Sequence, residues 1–358
     1  MRNLQDVRGY QEISTPIIVS KRLWEQSGHW ELYRENMFVI ESEGEQFSLK
    51  PMNCPESTVI YKTKTRSYRD LPLRLAEYGR LHRNELSGTL SGLTRVRHFI
   101  QDDGHIYVRP DQIESEIDAL LGEVATVYGW FDLPVELVFS TKPAKALGDP
   151  KLWEKAEAMI ESALKRSGAR WRLNAGDGAF YAPKIDIIVR DALGREWQTA
   201  TIQVDLAMLP ERFDLEYVDE AGERVRPIAI HRAIYGSLER FIGILVEHYA
   251  GAFPFWLAPE QVVIIPISDR HEEAAAAGAA TLRAAGIRVS VDASSARMQN
   301  KIRLAQEQKV PLMLVLGDKE IEAGGAAPRW RDGTQEPATS WEALAATLAT
   351  KAASRSAS

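Results

Sequence analysis

The residues that could do chemistry together are one thiol and two imidazoles. Cys54, in KPMNCPES, is the sole cysteine of 358 residues; His105 follows it by 51 positions and His231 follows His105 by 126. A thiolate with two imidazoles is a donor set suited to zinc, and three ligands instead of four leave a position open for a metal that works on a substrate. No finger-like spacing joins them. A lone cysteine serves equally well as a small buried hydrophobe, and each histidine as a satisfied structural one.

A second candidate is RLHRNELSGTLSGLTRVRHFIQDDGH, residues 80–105, with Arg80, Arg83, Arg95 and Arg97, an exposed-looking Phe99 and the pair Asp102-Asp103. The turn formers Ser87-Gly88 and Ser91-Gly92 predict two strands with a mobile loop between them. Arginines on adjacent strands suit a polyphosphate, because a guanidinium bonds two oxygens at once and keeps its charge. A surface hairpin laced with ion pairs has the same composition. Arg240 lies within an apolar helical pattern, and His231 is expected to begin that helix, HRAIYGSLERF.

Elements must bring these residues together. The spacing of Ile113, Ile117, Leu120, Leu121, Val124 and Val127 predicts a helix over residues 111–130. PKIDIIVRDALGREWQTATIQVDL reads as a hairpin turning at Asp191-Ala192-Leu193-Gly194. GAFPFWLAPEQ breaks the pattern, and from Val262 strands and helices alternate in the order that builds a parallel sheet. We therefore expect two domains, 1–257 and 258–358, the second a smaller α/β unit with a disordered tail, KAASRSAS. No run of about 18 apolar residues could span a bilayer, and no apolar leader follows the first residues, so a membrane or secreted protein is not expected. One cysteine excludes a disulfide framework and points to a reducing cytoplasm. A net charge of −6 gives no overall attraction to nucleic acid. RNA contact would need local patches such as KTKTRSYRDLPLRLAEYGRLHRNE, which reads equally as a solvated face of mixed sign.

Together these segments resemble the class II aminoacyl-tRNA synthetases, and within them the threonyl-tRNA synthetase family. YQEISTP, HRNE and GSLERFIG are similar to the three class signatures; KPMNCP, RVRHFIQDDGHIY, GAFYAPKID and AIHRAIYGSLERF carry the likeness to the threonyl family. The resemblance implies an α+β fold, a class II antiparallel sheet flanked by helices and followed by an anticodon-binding domain. It implies activation of L-threonine by ATP to threonyl-adenylate, then transfer to the 3′ end of tRNA(Thr).

By the same resemblance, Zn²⁺ falls on Cys54, His105 and His231, where it selects the threonine hydroxyl. Asp103, Gln101, Tyr181 and Gln203 surround the amino acid. Arg83, Glu85, Arg95, Phe99 and Arg240 hold ATP with Mg²⁺, and Arg83, Arg240 and His29 are the catalytic set, His29 as a near-neutral proton acceptor. Glu320 and Arg329 read the anticodon, with Trp330 a candidate for stacking. Ala182 and Ala200 stand where the family pattern has glycine, and Leu86 where proline is common. A homodimer is implied, with the interface helix shortened at the start of the chain and no editing domain. Serine, which has the hydroxyl, is expected to be activated as well. Prolyl and seryl enzymes lack this combination of motifs. A non-aminoacylating paralogue, acting as a regulator or resistance variant, is the alternative.

Overall fold

Alternation along Leu73–His82 puts Leu73, Leu75 and Leu81 on one face and Arg74, Tyr78 and Arg80 on the other. In the computed structural model, which describes residues 1–356, this run is strand β2, and it pairs antiparallel with β3 (His98–Val108). Around them stand β1 (Gln11–Glu12), β4 (Val135–Ser140), β5 (Trp171–Asn174), β6 (Lys184–Arg190), β7 (Glu196–Asp205) and β8 (Ile228–Ser237). The order across the sheet is β1-β2-β3-β8-β7-β6-β4-β5; only the edge pairs β1/β2 and β4/β5 are parallel. The hairpin expected at residues 191–194 joins β6 to β7.

Helix α1 (Cys54–Tyr61) carries the cysteine. Helix α2 (Ile113–Trp130) starts after a short turn at Pro110 and buries Ile113, Ile117, Leu120, Val124 and Val127, the stripe its spacing predicts. Its Tyr128 hydroxyl bonds Thr199 Oγ1 at 2.6 Å and Ile234 O at 2.8 Å, tying the helix to β7 and β8. Helix α3 is Pro150–Ser167 and α4 is Leu238–His248.

One expectation is corrected. HRAIYGS does not begin a helix; it is the end of β8, and α4 starts only at Leu238. Ile228, Ile230 and Ile234 with Ala229 and Ala233 are buried between two neighbouring strands, and a run apolar on both faces hides the two-residue period.

By contacts the chain forms two units, residues 1–129 with 133–244, and residues 130–132 with 245 onward. In the second, β9 (Val262–Pro266) lies between β10 (Val289–Val291) and β11 (Leu312–Leu316), all parallel. Helices α5 (Glu272–Ala284) and α6 (Met298–Glu307) join these strands. After the short α7 (Asp318–Glu322), β12 (Gly325–Trp330) and β13 (Thr339–Ser340) extend the sheet antiparallel, an addition that the alternation of strands and helices did not reveal. Helix α8 (Trp341–Ser354) contains the first four residues of the tail expected to be disordered, since the ridge of Leu344, Ala345 and Leu348 is buried; residues 357 and 358 of that tail lie outside the described residues.

A buried ion pair ties the N-terminal segment to the sheet. Glu77 of β2 accepts Lys50 Nζ at 2.9 Å and the Thr15 amide at 2.8 Å, and Lys50 is 1% exposed. Removing one partner strands a charge in a low-dielectric interior. Glu77→Ala is expected to cost about 3–5 kcal/mol of stability, read as a lower urea midpoint at unchanged slope.

Candidate metal centre and nucleotide cavity

Strand pairing removes the distance between the three candidate ligands. His105 and His231 are register partners across β3 and β8, and Cys54 opens α1 beside them; one donor atom from each lies within 4.8 Å of the other two. Nε2 of His105 and Nδ1 of His231 are buried and find no hydrogen-bond partner among the described residues. The other nitrogen of His231, Nε2, lies 3.2 Å from Asp205 Oδ2. Asp205 is fully buried and is itself held by the amides of Ala207, Met208 and Leu209 at 2.7–2.9 Å. Burial pushes the Cys54 thiol well up and the His105 imidazole well down. Two orphaned imidazole nitrogens, a thiol and a carboxylate behind one ring form a donor set that fits a zinc ion with an oriented outer partner.

Next to these residues is a cavity of about 360 Å³ lined by Gln101, Asp103, Tyr181 and Gln203 along with Cys54 and His231. Asp103 Oδ2 accepts from Asn53 Nδ2 at 3.0 Å, and Oδ1 accepts the Gly104 amide. Asn53 has room only because β2 has glycine opposite: a Cβ on Gly79 would fall 2.2 Å from Asn53 Oδ1. Tyr181 donates to Gln203 Oε1 at 2.5 Å, and its ring is 5.1 Å from that of His231. Ala182 and Ala200 are both buried, and neither adopts a positive φ, so their methyl groups sit on ordinary backbone.

A second cavity, of about 220 Å³, shares Arg83, Gln101, Thr201 and Gln203 with the first and adds Glu85, Arg95, Phe99 and Arg240. Arg83 donates to Pro51 O and lies 5.0 Å over the Phe99 ring; Phe99 is therefore buried, not exposed as the sequence suggested. Arg95 pairs with Glu85 at 3.0 Å. Arg240 donates to Thr94 O and Gln198 O, each at 2.9 Å. Burial, then Arg95 and Arg83, lower its guanidinium pKa. Three cations and one carboxylate around a single volume call for a polyanion.

His29 departs from expectation. It is fully buried, with Nδ1 2.8 Å from Ser27 Oγ and Nε2 3.1 Å from Met52 Sδ, among the rings of Trp24, Tyr33 and Phe180. Tyr33, Met52 and Phe180 line the first cavity, so His29 lies behind them. Burial pushes its imidazole down to about 3, which replaces the near-neutral value expected.

In the basic stretch 62–85 four of the cations have partners within the chain. Lys62 bonds Phe213 O, Arg66 bonds Tyr61 O, Arg69 stacks on Tyr68 and Arg74 pairs with Glu116. In the second unit, Glu320 Oε2 accepts the Gly317 amide at 3.0 Å, and Arg329, opposite Met313 on β11, keeps a buried Nε without a partner among the described residues. Trp330 donates to Glu336 and packs against Phe255 and Lys351. Asp205 and Asn53 escaped the sequence reading. The one signal was a polar side chain ending an apolar strand pattern, TIQVD, and that is common in any sheet.

Comparison with known proteins follows the same lines. Residues 38–249 match the tRNA synthetase class II core domain (G, H, P, S and T), and residues 261–351 match the anticodon binding domain family. A threonine-tRNA ligase of Anaeromyxobacter dehalogenans is 52% identical over 98% of this chain and 56% of its own length; one of Symbiobacterium thermophilum is 55% identical over 92% and 50%. The chain thus spans about half the length of the curated relatives it matches. The crystal structure of the RNA binding domain of threonyl-tRNA synthetase from Cryptosporidium parvum Iowa II is 42% identical with a TM-score of 0.94, covering 100% of this chain and 89% of that one.

Replacing Asp205 by asparagine keeps the shape behind His231 but removes the negative charge. The expected result is metal affinity weakened about 10–100-fold, measured by competition with a chromophoric chelator.

Proposed function

The chain belongs to the threonyl-tRNA synthetase family of class II synthetases, and from that premise we propose that it activates L-threonine with ATP and transfers the threonyl group to the 3′ end of tRNA(Thr). The observation that carries the reading is the convergence of Cys54, His105 and His231, with two orphaned nitrogens, beside a cavity whose lining includes Cys54 and His231 and is shared in part with a second one ringed by arginines. The relatives are named ligases, and nothing in the comparisons favours the non-aminoacylating alternative.

Cys54 Sγ, His105 Nε2 and His231 Nδ1 would hold the zinc. When bound, zinc supplies a Lewis acid with positions left for the amino and hydroxyl groups of threonine, a pair valine does not possess. Asp103, steadied by Asn53, accepts from the substrate hydroxyl, and Gln101, Tyr181 and Gln203 enclose the rest of the amino acid. A pocket that demands a hydroxyl rejects its methyl isostere by far more than the roughly hundredfold available from packing.

In the neighbouring cavity Arg83 takes the α-phosphate of ATP, Arg95 makes a further phosphate contact, Arg240 takes the γ-phosphate, Phe99 the base and Glu85 its amino group, with Mg²⁺ accompanying the nucleotide. The threonine carboxylate attacks the α-phosphorus, and pyrophosphate leaves; the arginines neutralise the charge that develops on the phosphate oxygens. In the second step a terminal ribose hydroxyl of tRNA attacks the adenylate carbonyl, AMP leaves, and an ester forms. His29 accepts the proton in this step. Burial that pushes its imidazole down to about 3 leaves it a weak base in this state, so the role requires the unbranched Met52 side chain to turn away from Nε2 and let substrate and water reach the ring.

We further assign catalysis to residues 1–257 and anticodon recognition to residues 258–358, with Glu320 and Arg329 as readers, a homodimer as the assembly and the cytoplasm as the location. No helix of the described residues is long and apolar enough to cross a membrane.

Amino-acid-dependent ATP-pyrophosphate exchange, with zinc quantified in the same sample, tests the proposal. Threonine should drive exchange, serine should give a measurable lesser rate, and valine should lie at the blank. Cys54→Ser should lose metal and exchange together. Exchange that survives metal loss, or a wild-type chain that no amino acid stimulates, would overturn it; serine at the blank would overturn the hydroxyl criterion.

A further inference from the structure

At the end of β8 the ladder with β3 breaks in an unusual way. Ala233 faces Asp103 and Ser237 faces Gln101, so three residues, 234–236, stand opposite the single residue Asp102. Backbone looped out in a buried sheet leaves donors that must be satisfied. Here one side chain satisfies all of them. Asp102 Oδ2 accepts the Ile234 amide at 3.1 Å, and Oδ1 accepts those of Tyr235 and Gly236 at 2.9 Å each. The carboxylate is itself fully buried, with Arg232 Nη1 3.7 Å away and the same nitrogen donating to Asp102 O at 2.7 Å. Burial pushes the carboxyl up to about 7, and Arg232 with the three amides work against that shift.

The break also frees a donor on β3, and a second carboxylate answers it. Glu239, in the first turn of α4, accepts the Ile100 amide through both oxygens, at 3.1 and 3.0 Å, and takes the Ser237 hydroxyl at 3.1 Å. Ser237 Oγ in turn accepts the Arg240 amide at 3.2 Å. Gly236 at φ +66° completes the bend; a Cβ there would lie 2.1 Å from Thr199 O. So β3 reaches into the loop with Asp102, and α4 reaches back to β3 with Glu239. Residues 100 and 102 alternate with Gln101 and Asp103, which face the amino-acid cavity, while the residue after Glu239 is Arg240, which faces the nucleotide cavity.

We propose that Asp102 and Glu239 form a reciprocal clasp that positions Arg240 in the nucleotide cavity, so that both act on ATP through Arg240 without touching it. The inference rests on the reading of that cavity as the ATP site. The clasp locks the strand-to-helix bend to the strand that carries the amino-acid pocket and sets where the guanidinium stands relative to Asp103. A carboxylate held by several amides is a strong, directional anchor, whereas a carboxamide in its place turns one acceptor into a donor.

The test uses the full chain. In pyrophosphate exchange, Asp102→Asn should raise KM for ATP and lower kcat, together by at least about tenfold in kcat/KM, with KM for threonine within about twofold of wild type and zinc content unchanged. Glu239→Ala should shift the same parameters less, and Glu239→Gln, which keeps one acceptor oxygen, should restore most of the loss. In an Arg240→Ala background the effect of Asp102→Asn should largely vanish, because the residue through which it acts is gone. Losses that fall equally on ATP and threonine, or that add fully to Arg240→Ala, would overturn the clasp. Amide hydrogen exchange reads it without catalysis: protection over residues 234–236 should fall at least about tenfold in Asp102→Asn. Unchanged protection overturns the clasp, whereas a wild-type chain that shows the protection but no exchange activity overturns only the assigned reaction. If Asp102→Asn does not fold, the Glu239 pair decides by the same criteria, since Glu239 is only half-buried.

Discussion

The antiparallel pairing of β3 with β8 is the constraint from which the rest of the larger unit follows. It sets His105 against His231, Asp103 against Ala233 and Gln101 against Ser237 in one ladder. Because side chains alternate along a strand, a slip of one residue would turn His231 away from His105 and set the Arg232 guanidinium in its place. Register therefore has to be guarded. Arg232 guards it on the far face, lying against Gly104, where a Cβ would come within 2.7 Å of the guanidinium, and bonding Tyr10 and the Asp102 carbonyl. The charge is fully buried, and its partners are arranged only for this register. Breaking it would leave an unpaired cation in the core, which costs more than any single apolar contact could return.

Polar satisfaction, not apolar packing, gives the site its shape. Asp102 holds three amides, Asp205 holds three more and one imidazole, and Asn53 holds Asp103. Each is buried, and each has a neighbour that is glycine or a chain bend making room. Among the described residues several buried polar atoms still lack a partner, Asn53 Oδ1 and Arg232 Nη2 among them; what sets the free nitrogens of His105 and His231 apart is that they belong to one cluster with the Cys54 thiol.

Much of this was legible from residues alone. The helix at Ile113–Trp130, the β6–β7 hairpin and the strand opening at Val262 carry their own periodicity and turn chemistry. The candidate ligands were readable as types, but not as a cluster: spacings of 51 and 126 residues become adjacency only through strand pairing, and pairing is non-local. The same cause explains the misread start of α4, since burial on both faces of β8 erased its period. Only the near-neutral value expected for His29 is displaced, because the sequence shows a histidine but not the rings of Trp24, Tyr33 and Phe180 that strip water from it. Asp102 sat beside Asp103 in plain view, yet which of two adjacent acids faces a pocket and which faces a backbone loop is decided by strand parity.

The crowding of Arg83, Arg95 and Arg240 has a thermodynamic side. Like charges gathered in a partly desolvated space raise the free energy of the empty fold, and the lowered Arg240 pKa is one sign of it. A polyanion entering that space relieves a repulsion that was already present, so part of its binding energy is a release of tension in the protein rather than a new attraction. On the proposed reading of this volume as the ATP site, nucleotide and native state are linked: whatever the polyanion gains on binding is returned as resistance of the fold to opening.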